Sequence, residues 1–286
     1  MDYNKKGYYP IALVNVTNRC NLKCKHCFVF RNENPNDASD EMETEEMLKR
    51  LKSLQAEYGI EQMLWMGGEP MLRPDVLKKG IKFFEINRIV TNGQFDLIDL
   101  PGCIYVISVD GPPELNDEIR GKGVFNKVLK TLSRIPDKFG SKVTCQCVVT
   151  KKNQDSLEEL VEYIRPTRAE GMVFTFYVPP KNDKSDQKWE SLKKRDIAVN
   201  KIFQLKEKYP DFILNSYRTL ELMLSENSKN VTDNCPLKKY ALPLYLEGDK
   251  FVRPYCCYGN DVDCDLCGAW PVFYVASKIE SFELIN

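Results

Sequence analysis

The chain has 286 residues, with 41 Lys+Arg against 41 Asp+Glu, so its formal net charge is zero. That length can bury one large core plus a smaller appendage. The balanced charge, with no basic excess, argues against a nucleic-acid partner, and the longest apolar runs are strand-length, too short for a transmembrane helix. Residues 1–10 lack the apolar stretch of a secretory signal, so the eleven cysteines are expected in a reducing, cytoplasmic setting, as metal ligands rather than disulfides.

From the amino end, the apolar, β-branched residues 11–17 read as a strand. The loop leaving it carries Cys20, Cys24 and Cys27 at CxxxCxxC spacing. Three thiolates so placed can hold three corners of an iron–sulfur cube and leave the fourth iron without a protein ligand. An open coordination position marks a catalytic rather than a structural metal site. Zinc is the competing occupant. It would want a fourth ligand, and the single His of the chain, His26, sits between Cys24 and Cys27, where adjacent residues rarely reach one ion. A distant cysteine would have to serve.

Further strands are expected at 62–66, 88–91, 104–109, 142–150 and 172–178. Helices are expected at 44–58, 74–84, 125–135, 156–164 and 189–208, with Thr44 and Asp155-Ser156 as N-terminal caps. The 92–103 connection is too short for more than one helical turn, and no 20–50-residue repeat is present. Alternating strands and helices predict an α/β fold with a parallel sheet and right-handed crossovers, whether open or closed into a barrel. Ligands then gather at the carboxyl ends of the strands. That singles out Gly67, Gly68, Glu69 and Pro70 after the second strand, Asn92 after the third, and Ser108 and Asp110 at the fourth. In the fifth strand Cys145 and Cys147 would face helices and Gln146 the interior. Phe174 to Tyr177 could stack on a ligand, with core packing as the plainer reading.

The remaining cysteines are unevenly spread. Cys103, Cys145 and Cys147 lie in apolar runs and read as core residues. Cys235, Cys256, Cys257, Cys264 and Cys267 fall in the last fifth of the chain, around a hairpin pattern at 244–253 that turns at Gly248-Asp249. A division at 1–215 and 216–286 is expected, with a linker or lid over about 181–200.

The CxxxCxxC run, followed some forty residues later by Gly67-Gly68-Glu69-Pro70, resembles the radical S-adenosylmethionine (SAM) superfamily. The resemblance implies a partial (βα)6 TIM-like barrel with a small cysteine-rich C-terminal extension. It implies a catalytic 4Fe-4S cluster on Cys20, Cys24 and Cys27 that cleaves SAM to a 5′-deoxyadenosyl radical. Gly67, Gly68, Glu69, Pro70, Asn92, Ser108, Asp110, Arg120 and Gln146 would help hold SAM or substrate, and His26 would lean on adenine. The tail resembles SPASM and twitch extensions. A second cluster would sit on Cys235, Cys257 (Cys256 as the alternative), Cys264 and Cys267, with zinc as the competing metal. A reduced flavodoxin or ferredoxin would supply the electron. The substrate would be a peptide or protein, a small molecule or a lipid precursor. The rival class is a zinc-stabilised α/β binding protein without catalysis.

Overall fold

A computed structural model describes residues 7–31 and 41–279; residues 1–6, part of the stretch read as lacking a signal, lie outside them. Six parallel strands, each but the third followed by helix, build the first two thirds of the chain. The strands are β1 (Ile11–Asn15), β2 (Gln62–Met66), β3 (Ile86–Thr91), β4 (Ile104–Ser108), β5 (Lys142–Val149) and β6 (Met172–Phe176). The helices between them are α1 (Thr44–Tyr58), α2 (Pro74–Gly80), α3 (Pro113–Arg120), α4 (Val124–Ser133) and α5 (Leu157–Ile164), and α6 (Leu192–Lys208) follows β6. Then come α7 (Tyr217–Met223), α8 (Ser225–Asp233), α9 (Pro236–Tyr240), β7 (Ala241–Glu247), β8 (Lys250–Val252) and α10 (Trp270–Ala276).

The sheet order is β6-β5-β4-β3-β2-β1-β7-β8. Each of β1 to β6 is parallel to its neighbours, as strand–helix alternation demands, and the architecture is the expected partial barrel. The expected hairpin forms between β7 and β8, turning at Gly248 with φ +59°. Its first strand also joins the main sheet, parallel to β1. The free edge of β6 is covered from within the chain, which blunts it against pairing with another copy. Asn215 imitates a neighbouring strand there, accepting from the Phe174 amide at 2.8 Å and donating to its carbonyl at 2.9 Å. Phe176 N donates to the Gly268 carbonyl at 2.9 Å.

Local chemistry moves several helix ends from their expected places. Thr44 opens α1 but does not cap it; its hydroxyl pairs with Asp75 and accepts from Arg73 at 3.0 Å. Ser156 stands at the N-cap of α5, yet its hydroxyl donates to the Asn153 carbonyl instead of capping. α6 begins after Ser191, whose hydroxyl accepts from Lys194 N. Trp189, expected inside that helix, packs on the Phe176 ring instead.

Side-chain burial alternates along β2, β3 and β5 as a period of two requires, whereas β1 and β6 are buried almost throughout. In β5, Val143, Cys145, Cys147 and Val149 are buried, and Thr144, Gln146 and Val148 are half-buried. The buried set on each strand faces the helices: Trp65 of β2, for example, packs on Phe84 and against Gly80 of α2. The half-buried set lines the barrel interior. By register, Arg88 neighbours Leu64 and Ile104, and Ser108 neighbours Gln146.

Candidate active site

The cysteine loop is held by backbone. Gly68 N donates to the Thr17 carbonyl at 2.8 Å and Glu69 N to the Arg19 carbonyl at 2.9 Å. A Cβ at Gly67 would lie 2.5 Å from Thr17 O, and one at Gly68 would lie 2.1 Å from Arg19 O. Lacking a Cβ at both positions, the paired glycines let the cysteine loop dock against the turn. Glu41 fastens the other side of the loop, accepting from Asn18 N at 2.9 Å and from the Thr17 hydroxyl. Sequence patterns gave no sign of Glu41.

Cys20, Cys24 and Cys27 are half-exposed on this loop. Burial pushes the Cys24 thiol up to about 11, against the opposing pull of the Arg120 guanidinium, with Asp110, Cys27 and Cys20 raising it further. Burial also raises Cys20, where Glu69 and Cys27 act in the same direction. The three sulfurs therefore lie within electrostatic reach of one another, and binding an iron cluster would release protons from Cys20 and Cys24. Asn92 Nδ2 lies 3.9 Å from Cys20 Sγ, and Arg120 Nη1 lies 3.9 Å from Cys24 Sγ. Among the described residues, no three His, Cys, Asp or Glu side chains converge on a point suited to a single metal ion.

Glu69 is 1% exposed and faces the same loop. It accepts from Met71 N at 2.9 Å, Thr91 Oγ1 at 2.7 Å and Asn92 N at 2.8 Å. Burial still wins over these donors and raises its carboxyl above the usual range. Pro70 continues the chain into a single 3-10 turn.

A buried ionic knot stands behind Cys24. Asp110 is fully buried, and its Oδ2 lies 2.6 Å from His26 Nε2 and 2.6 Å from Arg120 Nε. The arginine contact is an ion pair without the alignment of a hydrogen bond. Asp110 Oδ1 accepts from Val148 N at 2.8 Å, and Asn153 Nδ2 donates to the Asp110 carbonyl at 2.8 Å. Burial alone would raise the Asp110 carboxyl; Arg120 and His26 outweigh it and hold it well below the usual carboxylate range. His26 is thus tied into this knot by one ring nitrogen. Asp117, on the same helix as Arg120, caps α4 by accepting from Phe125 N at 2.8 Å. Ser108 and Gln146 meet side by side on the interior wall.

The C-terminal cysteines collect near the same end of the barrel. Residues 178–181 and 256–263 are laced together: Asp263 N donates to Pro179 O, and Pro180 bridges Val262. Arg31 ties both to the cysteine loop, donating to Val178 O at 2.9 Å and Tyr258 O at 2.7 Å. The rings of Phe28 and Tyr258 meet at 4.7 Å. Burial is the chief cause raising Cys235, and it pushes Cys256 to about 11 and Cys267 to about 12. Cys256 lies within electrostatic reach of Cys235 and Cys264, and Cys267 within reach of Cys256 and Cys235. Cys257 is buried, with its carbonyl taken by the Tyr245 hydroxyl at 3.0 Å. A cavity of about 240 Å³ opens beside Cys235 and Cys256. Buried Arg195, another residue the sequence did not mark, donates to Cys267 O at 2.9 Å and Met223 O at 2.9 Å.

Similarity to known proteins agrees with this geometry. The chain is 31% identical over 186 residues to Fe-coproporphyrin III synthase of Methanosarcina barkeri, covering 59% of this chain and 44% of that protein. It is 30% identical over 164 residues to pre-heme d1 synthase of Dinoroseobacter shibae, covering 54% and 40%. The chain thus spans less than half the length of these two curated relatives. In fold it is similar to Streptococcus suis SuiB bound to S-adenosylmethionine, with TM-score 0.66 at 15% identity, covering 84% of this chain and 59% of SuiB. It is likewise similar to anSMEcpe with bound AdoMet, with TM-score 0.57 at 20% identity, covering 75% and 66%. The radical SAM superfamily profile matches residues 14–164. With its cysteine loop, glycine-docked turn and parallel barrel on that matched stretch, the chain belongs to the radical SAM superfamily, whose enzymes use a 4Fe-4S cluster and SAM.

Proposed function

We propose that this protein is an enzyme that binds a 4Fe-4S cluster through Cys20, Cys24 and Cys27 and acts on a small molecule held in the barrel interior. The observation that carries the reading is three half-exposed thiols on one glycine-docked loop that leaves β1 at its carboxyl end. When bound, the cluster and SAM would supply reductive C–S cleavage and a carbon-centred radical. The chain's own residues bind and orient. Glu69, buried and short of compensating charge, suits an arriving ammonium group. Gly67, Gly68 and Pro70 fix the turn that presents it. Asn92 and Arg120 direct N–H groups at the sulfurs. Asp110 and His26 act through Arg120 and the loop rather than on SAM, because both carboxylate oxygens are already engaged. Ser108 and Gln146 are free to meet SAM or substrate from the wall. Release of 5′-deoxyadenosine from SAM by the reduced protein is the experiment that tests the reading.

Residues 216–286 form, in this proposal, a twitch-like extension after a 1–215 core, carrying one further iron–sulfur cluster. Cys235, Cys256, Cys264 and Cys267 are its ligands. Cys256, the alternative to Cys257, is chosen because it lies within electrostatic reach of both Cys235 and Cys264. Anaerobically reconstituted protein should then hold about eight irons. Cys256→Ala should lower that to about four, and Cys257→Ala should leave it unchanged. Zinc in place of the second iron set would fit the competing assignment. A reduced flavodoxin or ferredoxin would donate the electron in a cytoplasmic setting; no helix among the described residues is long and apolar enough to cross a membrane. A small-molecule substrate is favoured over a peptide because relatives matched over the barrel are named as synthases of Fe-coproporphyrin III and pre-heme d1.

A further inference from the structure

The interior wall of the barrel is almost uncharged. Among the inward positions of β1 to β6, only Arg88 and Lys142 carry charge, and Lys142 is exposed at the amino end of its strand. Arg88 is half-buried, and its one hydrogen-bond partner among the described residues is neutral, Gln62 Oε1 at 3.4 Å. No carboxylate among the described residues lies within ion-pair distance of it, and burial pulls its guanidinium down from the ordinary value. α10 brings a second donor. Trp270 N bonds Thr175 Oγ1 on the interior face of β6 at 2.9 Å, and its ring stacks on Tyr274 at 4.7 Å. Tyr274 reaches Arg88 electrostatically. The Trp270 indole Nε1 is buried and has no partner among the described residues.

We infer that the barrel interior binds a small-molecule carboxylate, with Arg88 as the anion-binding group and Trp270 as a second donor. Guanidinium and indole N–H offer donors only, so their complement is a charged acceptor. A single guanidinium balances one negative charge, which suits a carboxylate better than a phosphate dianion. Arg88 lies four residues before Asn92, whose amide approaches Cys20. At about 3.3 Å per strand residue, the site is about 13 Å below the cysteine loop. Between them the wall on β2 to β4 is Leu64, Met66, Val90 and Val106, with Thr144 beside Val106 and with Ser108 and Gln146 nearer the loop. The ligand is therefore an acid with a largely apolar body of roughly that length and a polar group toward the loop. This deepens the proposed small-molecule function and rests on it for the chemistry, though not for the binding.

The test titrates the full chain, anaerobically reconstituted, with unbranched ω-phenylalkanoates of increasing length and with their primary amides, read by calorimetry. The acids should bind about tenfold or more tighter than the matched amides. Arg88→Gln should erase that preference, and Arg88→Lys should retain part of it. Equal binding of acid and amide, binding of neither series, or an undiminished preference in Arg88→Gln would overturn the inference. Should Arg88→Gln not fold, the wild-type acid–amide comparison still decides. A pentapeptide that binds through its free C-terminus where no alkanoate does would also overturn it, assigning the site to a peptide. Iron content and SAM turnover are measured on the same preparation. Intact acid preference without SAM turnover would refute the radical chemistry alone; turnover without acid preference would refute this site alone.

Discussion

Asp110→Asn is expected to destabilise the protein by about 3–5 kcal/mol, because removing one member of a buried ion pair leaves the other charge uncompensated. Asp110 is fully buried and Arg120 is 7% exposed, so water cannot take over the lost role. The amide would keep the shape but not the charge, leaving Arg120 and His26 facing a neutral group, with the Val148 amide still able to find an oxygen. The pH dependence has a definite sign. The folded carboxyl titrates below its unfolded value, so its contribution is complete above about pH 4 and fades as pH falls through the folded value. Urea unfolding of metal-free protein should therefore show a wild-type-minus-Asp110→Asn difference that persists at about pH 7 and shrinks in strong acid. A difference under about 1 kcal/mol at pH 7 would mean the knot carries little stability.

Gly68→Ala is expected to abolish loading of the first cluster while sparing most of the fold. The added methyl would sit 2.1 Å from Arg19 O and 2.5 Å from its carbonyl carbon, and these are backbone atoms that no side-chain rotation can move aside. Relief requires the cysteine loop to lift off the turn, breaking Gly68 N to Thr17 O and Glu69 N to Arg19 O. The three thiols would then lose their shared placement. Iron bound at this loop should fall from about four per chain to near none, and SAM turnover should drop by about a hundredfold or more. Far-ultraviolet circular dichroism should change little, since β1 and β2 pair independently of the turn. Normal iron loading by Gly68→Ala would show that the glycine serves another purpose.

Much of the barrel was legible because strand and helix periods are local properties. α1 follows its apolar spacing and stops where Gly59 takes φ +69°. β5 alternates as its residues do; that Cys145 and Cys147 share one face and Gln146 takes the other followed from period, while which face is buried is set by the fold. α3 escaped notice because its eight residues start at Pro113 behind another proline and bury only Asn116, Ile119 and Arg120. The hairpin was readable from Gly248, but the pairing of its first strand with β1 was not, since contacts 230 residues apart leave no local signature. The same limit applies at the site. The cysteine spacing announced the loop, yet the His26–Asp110 bond spans 84 residues and the Arg120–Cys24 approach spans 96. Arg195 looked like one more charge on a polar helix; only the folded chain buries it against Phe176 and Cys267.

The most direct measurement is the yield of 5′-deoxyadenosine when anaerobically reconstituted, dithionite-reduced protein is mixed with SAM. The native chain should form it, and Cys24→Ala, lacking one of three anchors, should form none above the protein-free control. Equal yield from Cys24→Ala, or no yield from native protein that carries its full iron, would contradict the assignment of that loop as the seat of the reaction.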